Sequence, residues 1–157
     1  MILFWAQVGI VIVIFLLSTM ASWYEGSNIL TDSWEWEYST PFSTWLNGEV
    51  TGPNDISGLD YFIYAAKFSP TFPVIMMVSM IYLLILVGYY FFRTKPRFLA
   101  VYSILLGVVL LLGSIATAIS FTVGGQVFFY LLLVFAALCF VASIFLYKRG
   151  WDKTPVN

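Results

Sequence analysis

Four long apolar runs divide the chain, and a polar, aromatic-rich stretch separates the first two. Residues 2–22 carry no charged side chain, and residues 70–92 run from just past Lys67 to Arg93. A third uncharged stretch occupies 98–147. As one helix it would be about 75 Å long at 1.5 Å per residue, too long for one crossing of ~30 Å of hydrocarbon. The Thr-Val-Gly-Gly-Gln run at 122–126 is the natural break, because paired glycines suit a turn. The pattern therefore predicts four membrane spans, at about 2–22, 70–92, 98–121 and 127–147.

The stretch at 23–69 has a different pattern. Residues 33–39 read Ser-Trp-Glu-Trp-Glu-Tyr-Ser, so that Trp34, Trp36 and Tyr38 alternate with Glu35 and Glu37. Alternation with period two predicts a half-buried strand, aromatics inward and acids in water. Asn47-Gly48 predicts a hairpin turn between short strands at 43–46 and 49–51. A helix is expected over about 57–68, capped by Ser57 or Asp55 and stopped by Ser69-Pro70. The expected fold class is all-α transmembrane, a four-helix bundle with a small external α/β loop domain between spans 1 and 2. The whole is expected to form a single integral membrane domain.

Small residues mark where the spans should meet, since helices in lipid associate through close packing and interhelical hydrogen bonds. In the third span Ser103, Gly107, Ser114 and Ala118 lie within about 60° of one another on a helical wheel. Ala136, Cys139 and Ser143 form a shorter stripe in the fourth. Ser and Thr hydroxyls bond to their own helix backbone, so helix packing explains these positions better than a substrate path.

Composition confirms the membrane setting and thins the chemistry. The 157 residues are 61% hydrophobic and 10% charged, against about 25% charge in ordinary soluble domains, and mean hydropathy is +0.93. This excludes a disordered chain, a nucleic-acid binder and an ordinary cytosolic enzyme. There is no His and one Cys, Cys139, so no disulfide within the chain and no Cys/His metal set is available. No Asp, Glu, Lys or Arg falls inside an expected span core, which argues against a stand-alone pump or transporter. No metal, cofactor or catalytic residue is expected.

The net charge of −1 hides an asymmetry. Arg93, Lys95 and Arg97 crowd the second connection, and Lys148, Arg149 and Lys153 follow the fourth span. The first connection holds Glu25, Asp32, Glu35, Glu37, Glu49, Asp55 and Asp60 against Lys67 alone. The positive-inside rule then puts both termini in the cytoplasm and residues 23–69 outside. The first span is expected to stay uncleaved: no Lys or Arg precedes it, and it exceeds a usual signal-peptide core.

The run Ala-Ser-Trp-Tyr-Glu-Gly-Ser at 21–27, followed by Asp-Ser-Trp-Glu-Trp at 32–36, resembles the YjdJ-like family of small membrane proteins from Bacillus-type bacteria. The likeness covers the first span and early loop best; the later spans match in pattern. It implies a bacterial plasma membrane and transfers no functional residue. The four-span plan with a large first loop also looks like claudins, but the paired-cysteine motif of the claudin loop is missing here, so that likeness is one of architecture.

The functional expectation is a non-enzymatic cell-envelope protein that touches membrane lipid and binds a protein partner, with no role for nucleic acid. Trp34, Trp36, Tyr38 and Trp45 are the candidate interaction surface if they are not the core of the loop domain, beside a belt of Trp23, Tyr24 and Phe72 at the membrane interface. Ser103, Gly107, Ser114, Ala118, Ala136 and Ser143 are the candidate helix-packing set. The alternatives are an accessory subunit of a transporter or export complex, and a membrane enzyme acting on lipid or cell-wall precursors through paired external carboxylates.

Overall fold

A computed structural model of the protein describes residues 2–151, with the side chains of 149–151 excepted. Lys153 and the Arg149 side chain, both from the second basic cluster, lie outside the described residues. Among those residues every regular element is helical. The helices are α1 (Ile2–Gly26), α2 (Trp36–Ser39), α3 (Pro41–Asn47), α4 (Gly58–Phe68), α5 (Thr71–Phe92), α6 (Pro96–Thr117) and α7 (Val123–Trp151), with short 3-10 turns at Ser27–Thr31, Ser33–Glu35 and Pro53–Asp55. Among the described residues, four helices, α1, α5, α6 and α7, are long and apolar enough to cross a membrane. They mark a multi-pass membrane protein. Proline opens α3 and α6 at the first helical positions, where its missing N–H costs no intrahelical bond.

The described residues divide into two compact units, residues 2–80 with 122–124 and residues 81–121 with 125–151. In the first, α1 and α4 make the closest approach. Ser18, Ser22 and Gly26 are the buried residues of α1, four apart on one face. A Cβ on Gly26 would lie 1.9 Å from the Tyr61 carbonyl oxygen, so only glycine permits this contact. Ala65, one turn beyond Tyr61, is fully buried. The hydroxyls of Ser18 and Ser22 donate to Phe15 O (3.0 Å) and Ser18 O (2.7 Å). They fill the interface while their polarity is met within α1.

In the second unit, glycine notches seat aromatic rings. Tyr102 of α6 lies against Gly88 of α5, where a Cβ would come within 2.2 Å of its ring, and its hydroxyl donates to Leu84 O at 2.8 Å. The Phe140 ring of α7 rests on Gly107 of α6 at 3.0 Å from the position of a Cβ. Leu106, Leu110, Leu132 and Ala136 are buried, and Ser114 Oγ donates across from α6 to Phe129 O of α7 at 3.1 Å.

Three expectations are corrected. The strand at 33–39 is instead a 3-10 turn running into α2, so the segment expected as an α/β domain is helical. A strand needs a partner for its backbone groups, and a lone hairpin is marginal at best; a helix satisfies them internally. The aromatics follow helical spacing: Trp36 is half-buried while Trp34 and Tyr38 point out, and Ser39, Thr40 and Ser43 form the buried face. Asn47-Gly48 makes no hairpin. Gly48 ends α3 with φ +81° and its N–H donates to Thr44 O, the glycine stop of a helix. Gly124-Gly125 is not the turn either. The break falls at 118–122, and both glycines are helical in the first turn of α7. Gly124 serves a close approach: a Cβ there would lie 1.8 Å from Ala66 O.

Candidate functional site

The segment between α1 and α5 is organised around carboxylates that hold helices together. The helix expected at 57–68 forms as α4, and Ser57 caps it, its Oγ accepting from Leu59 N at 3.3 Å. Ser57 and Asp60 read as a capping box, yet Asp60 reaches elsewhere. It is fully buried. It accepts from Phe42 N (3.0 Å), Ser43 N (2.8 Å) and the Ser43 hydroxyl, which are the open donors at the start of α3. Ser43 Oγ in turn accepts from Ser57 N at 2.7 Å. Asp60 therefore caps α3 from α4. A buried carboxylate without a cation is expensive, and three converging donors at a helix N-terminus are what offset it.

A second knot surrounds Lys67. Its ammonium donates to Tyr38 O (2.9 Å) and Ser39 Oγ (2.7 Å) and lies 3.6 Å from Glu35 Oε2. Ser39 Oγ donates to the same Glu35 oxygen at 2.8 Å. The end of α4 is thus tied to α2. Trp36 Nε1 donates to Ile29 O at 2.8 Å, and Tyr64 OH donates to Asp32 Oδ2 at 3.1 Å. Burial pushes the Tyr64 phenol above its usual range, and the hydrogen bond to Asp32 with the negative charges of Asp32 and Glu35 adds to the rise. Asp55 accepts from Thr51 N, Thr51 Oγ1 and Gly52 N, each at 3.0 Å. The backbone and hydroxyl donors of Thr51, then the Gly52 N–H, hold its carboxyl below the usual carboxylate range. Four of the six acids between α1 and α5, Asp32, Glu35, Asp55 and Asp60, are thus engaged in the segment's own architecture. Glu37 and Glu49 are exposed.

What this scaffold presents outward is aromatic. Trp34 is 88% exposed, Tyr38 67% and Trp45 82%. Phe42 and Leu46 are exposed as well, and with Trp45 they share one face of α3 at spacings of three and four. Trp34 and Tyr38 continue the four-residue spacing backwards, across the bend at Thr40. Of the four candidate surface residues, Trp34, Tyr38 and Trp45 are on the surface and Trp36 is an anchor. Trp23 and Tyr24, at the end of α1, and Phe72 are exposed too. No group of three or more His, Cys, Asp or Glu side chains able to hold a metal occurs among the described residues.

The helix-packing candidates separate. Gly107, Ser114, Ala136 and Ser143 are buried, Gly107 and Ser114 at the α6–α7 contacts above. Ser103 is half-buried with its hydroxyl on Leu99 O at 2.9 Å. Ala118 lies past the end of α6 and is exposed.

Residues 5–92 match the family model described as Domain of unknown function (DUF4306). Over 80 residues the chain is 40% identical to the Uncharacterized protein YjdJ of Bacillus subtilis (strain 168), covering 50% of this chain and 73% of that protein. The chain belongs to the YjdJ-like family. The family match takes in α1 from Trp5 onward, the whole interhelical segment and α5, and leaves α6 and α7 outside it. No solved structure matches the chain.

Two features escaped the sequence reading. The Ser18-Ser22-Gly26 ladder was legible as small residues four apart, inside a run that otherwise reads as a plain span. Asp60 gave no such signal, because its spacing from Ser57 points to a cap of its own helix.

Proposed function

We propose that the protein is a non-enzymatic, multi-pass component of a bacterial plasma membrane, and that it binds a protein partner through the aromatic row of its external segment. The observation that carries this reading is the exposed run Trp34, Tyr38, Phe42, Trp45 and Leu46 on a scaffold tied by buried hydrogen bonds. Large rigid aromatics held in place lose little entropy on binding and dominate interface energetics. Against an enzyme acting on lipid or cell-wall precursors stands the use of Asp32, Glu35, Asp55 and Asp60 as structural acceptors. An accessory role in a transporter or export complex differs from the leading reading in the identity of the partner.

The orientation belongs to the same proposal. Arg93 and Lys95 between α5 and α6 and Arg97 in the first turn of α6, with Lys148 near the end of α7, favour a cytoplasmic location for those ends and for both termini. In a Cys139→Ser background, Asn47→Cys should react with an impermeant thiol reagent on intact cells and Lys95→Cys should not. The reverse pattern would overturn the orientation.

The interaction is tested by placing a photo-crosslinking residue at Trp34, at Trp45 and, as a control, at Asn54, in the native host. A discrete adduct of one mass from positions 34 and 45, absent at 54, is expected. Adducts that do not distinguish the three positions, or none at 34 and 45, would remove the aromatic row as a binding face.

A further inference from the structure

The second unit contains an open cavity of about 520 Å³ between α5, α6 and α7. Its wall is apolar, formed by Ile85, Leu106, Phe135, Cys139 and Leu146 among others. Of the three hydroxyl side chains that line it, Tyr102 and Ser103 are spent on backbone carbonyls, Leu84 O at 2.8 Å and Leu99 O at 2.9 Å, and Tyr89 is 50% exposed. The groove is not a packing accident that side chains would close. Tyr102 is seated in the Gly88 notch and Phe140 in the Gly107 notch, which fixes the three helices beside the space.

Length and position say what fits. Along α7 the groove runs from Phe135 to Leu146, about 16 Å at 1.5 Å per residue. That is roughly one leaflet of a ~30 Å hydrocarbon core. It lies toward one end of the unit, in the last turns of α5 and the first turns of α6, and it stops just short of Lys148. The same end carries Arg93, Lys95 and Lys148, all exposed, with Lys95 Nζ 5.6 Å from the Phe98 ring centroid. After Asp60 the sequence has a single acid, Asp152, against the cations of this end. We propose that the groove holds an acyl chain of an anionic phospholipid from the basic-side leaflet, with the lipid phosphate against Arg93, Lys95 and Lys148. Basic residues at the membrane face beside an interhelical pocket suit an anionic headgroup. A second copy of the chain fits less well: a spanning helix would need a groove about twice as long, and a parallel copy would set cation against cation.

The native cysteine reports on the groove. The full chain is reconstituted in vesicles of phosphatidylglycerol or of phosphatidylcholine with identical acyl chains, and Cys139 is alkylated with a membrane-soluble maleimide. Slower modification in phosphatidylglycerol is expected, and native mass spectrometry should find one phosphatidylglycerol retained per chain. Inorganic phosphate added to phosphatidylcholine vesicles should give no protection, because the tail supplies the occupancy. Arg93→Gln with Lys95→Gln should weaken retention about fivefold per charge removed. Ala142→Trp, which adds bulk to the groove wall, should abolish retention with the cations intact. Equal Cys139 rates in the two lipids, or equal retention of both, would overturn the proposal. Protection by phosphate alone, or a ready disulfide between the Cys139 residues of two copies under oxidant, would overturn it too. The wild-type comparison between lipids decides the matter even where a variant fails to fold.

Discussion

Replacing Asp60 by alanine removes the acceptor that closes the start of α3. Ser43 N and Ser43 Oγ are buried and would lose their shared partner, Asp60 Oδ2, and Phe42 N would lose Oδ1. A buried donor left unsatisfied costs about 1–3 kcal/mol. Phe42 is exposed, so its N–H regains water; the two Ser43 donors do not. The expected loss is about 2–5 kcal/mol. Asp60→Asn keeps the shape and one acceptor oxygen but turns an NH2 toward donors, and should lose about 1–3 kcal/mol. The loss is local, so the assay is amide hydrogen exchange on the reconstituted protein, read at α3 and, as a control, at α6. With every 1.4 kcal/mol worth a factor of ten, exchange in α3 should accelerate roughly 30- to 3,000-fold in Asp60→Ala. Exchange in α6 should stay as in the wild type. Ser43→Ala combined with Asp60→Ala should lose less than the sum, with a coupling of about 0.5–3 kcal/mol. Unchanged α3 exchange in Asp60→Ala, or strict additivity with Ser43→Ala, would refute the cross-helix cap.

Gly26→Ala forces a Cβ onto the Tyr61 carbonyl and should lower detergent thermal stability by about 1–3 kcal/mol. Gly9→Ala, where a Cβ meets nothing within 4 Å, should be neutral or stabilising by roughly 0.5–1 kcal/mol. Gly48→Ala places a side chain at φ +81° and should cost about 1–3 kcal/mol, read as a lower thermal midpoint. The raised Tyr64 phenol stabilises the fold fully below its unfolded value near 10, and that contribution is lost as pH rises through the higher folded value. Wild type should therefore lose stability above pH 10 faster than Tyr64→Phe in thermal scans across alkaline pH. Parallel curves for the two would remove Tyr64 from the alkaline limb.

The apolar runs by themselves determined that this is a multi-pass membrane protein, because hydrocarbon thickness sets a length that few other patterns satisfy. They also placed the second connection, where Arg93, Lys95 and Arg97 interrupt the hydrophobicity. Local chemistry was enough for α4, whose Ser57 cap and Ser69-Pro70 stop lie next to the residues they govern. It failed at Trp34-Glu35-Trp36-Glu37-Tyr38. Five alternating residues satisfy a strand, but they also fit one turn of helix with a single aromatic inward, and the choice depended on Ile29 O, Lys67 and Ser39 waiting to receive them. The paired glycines misled for a similar reason. In isolation Gly124-Gly125 reads as flexibility, whereas the Ala66 carbonyl 1.8 Å from a Cβ on Gly124 shows that the requirement is space. Asp60 could not be assigned from sequence at all, since the helix it caps begins at Pro41 and only the approach of α3 to α4 brings the donors to it. The chain's periodicities fixed which segments are helices in the membrane. Contacts between residues far apart in sequence decided where the aromatics face, what the carboxylates hold, and where a groove is left open.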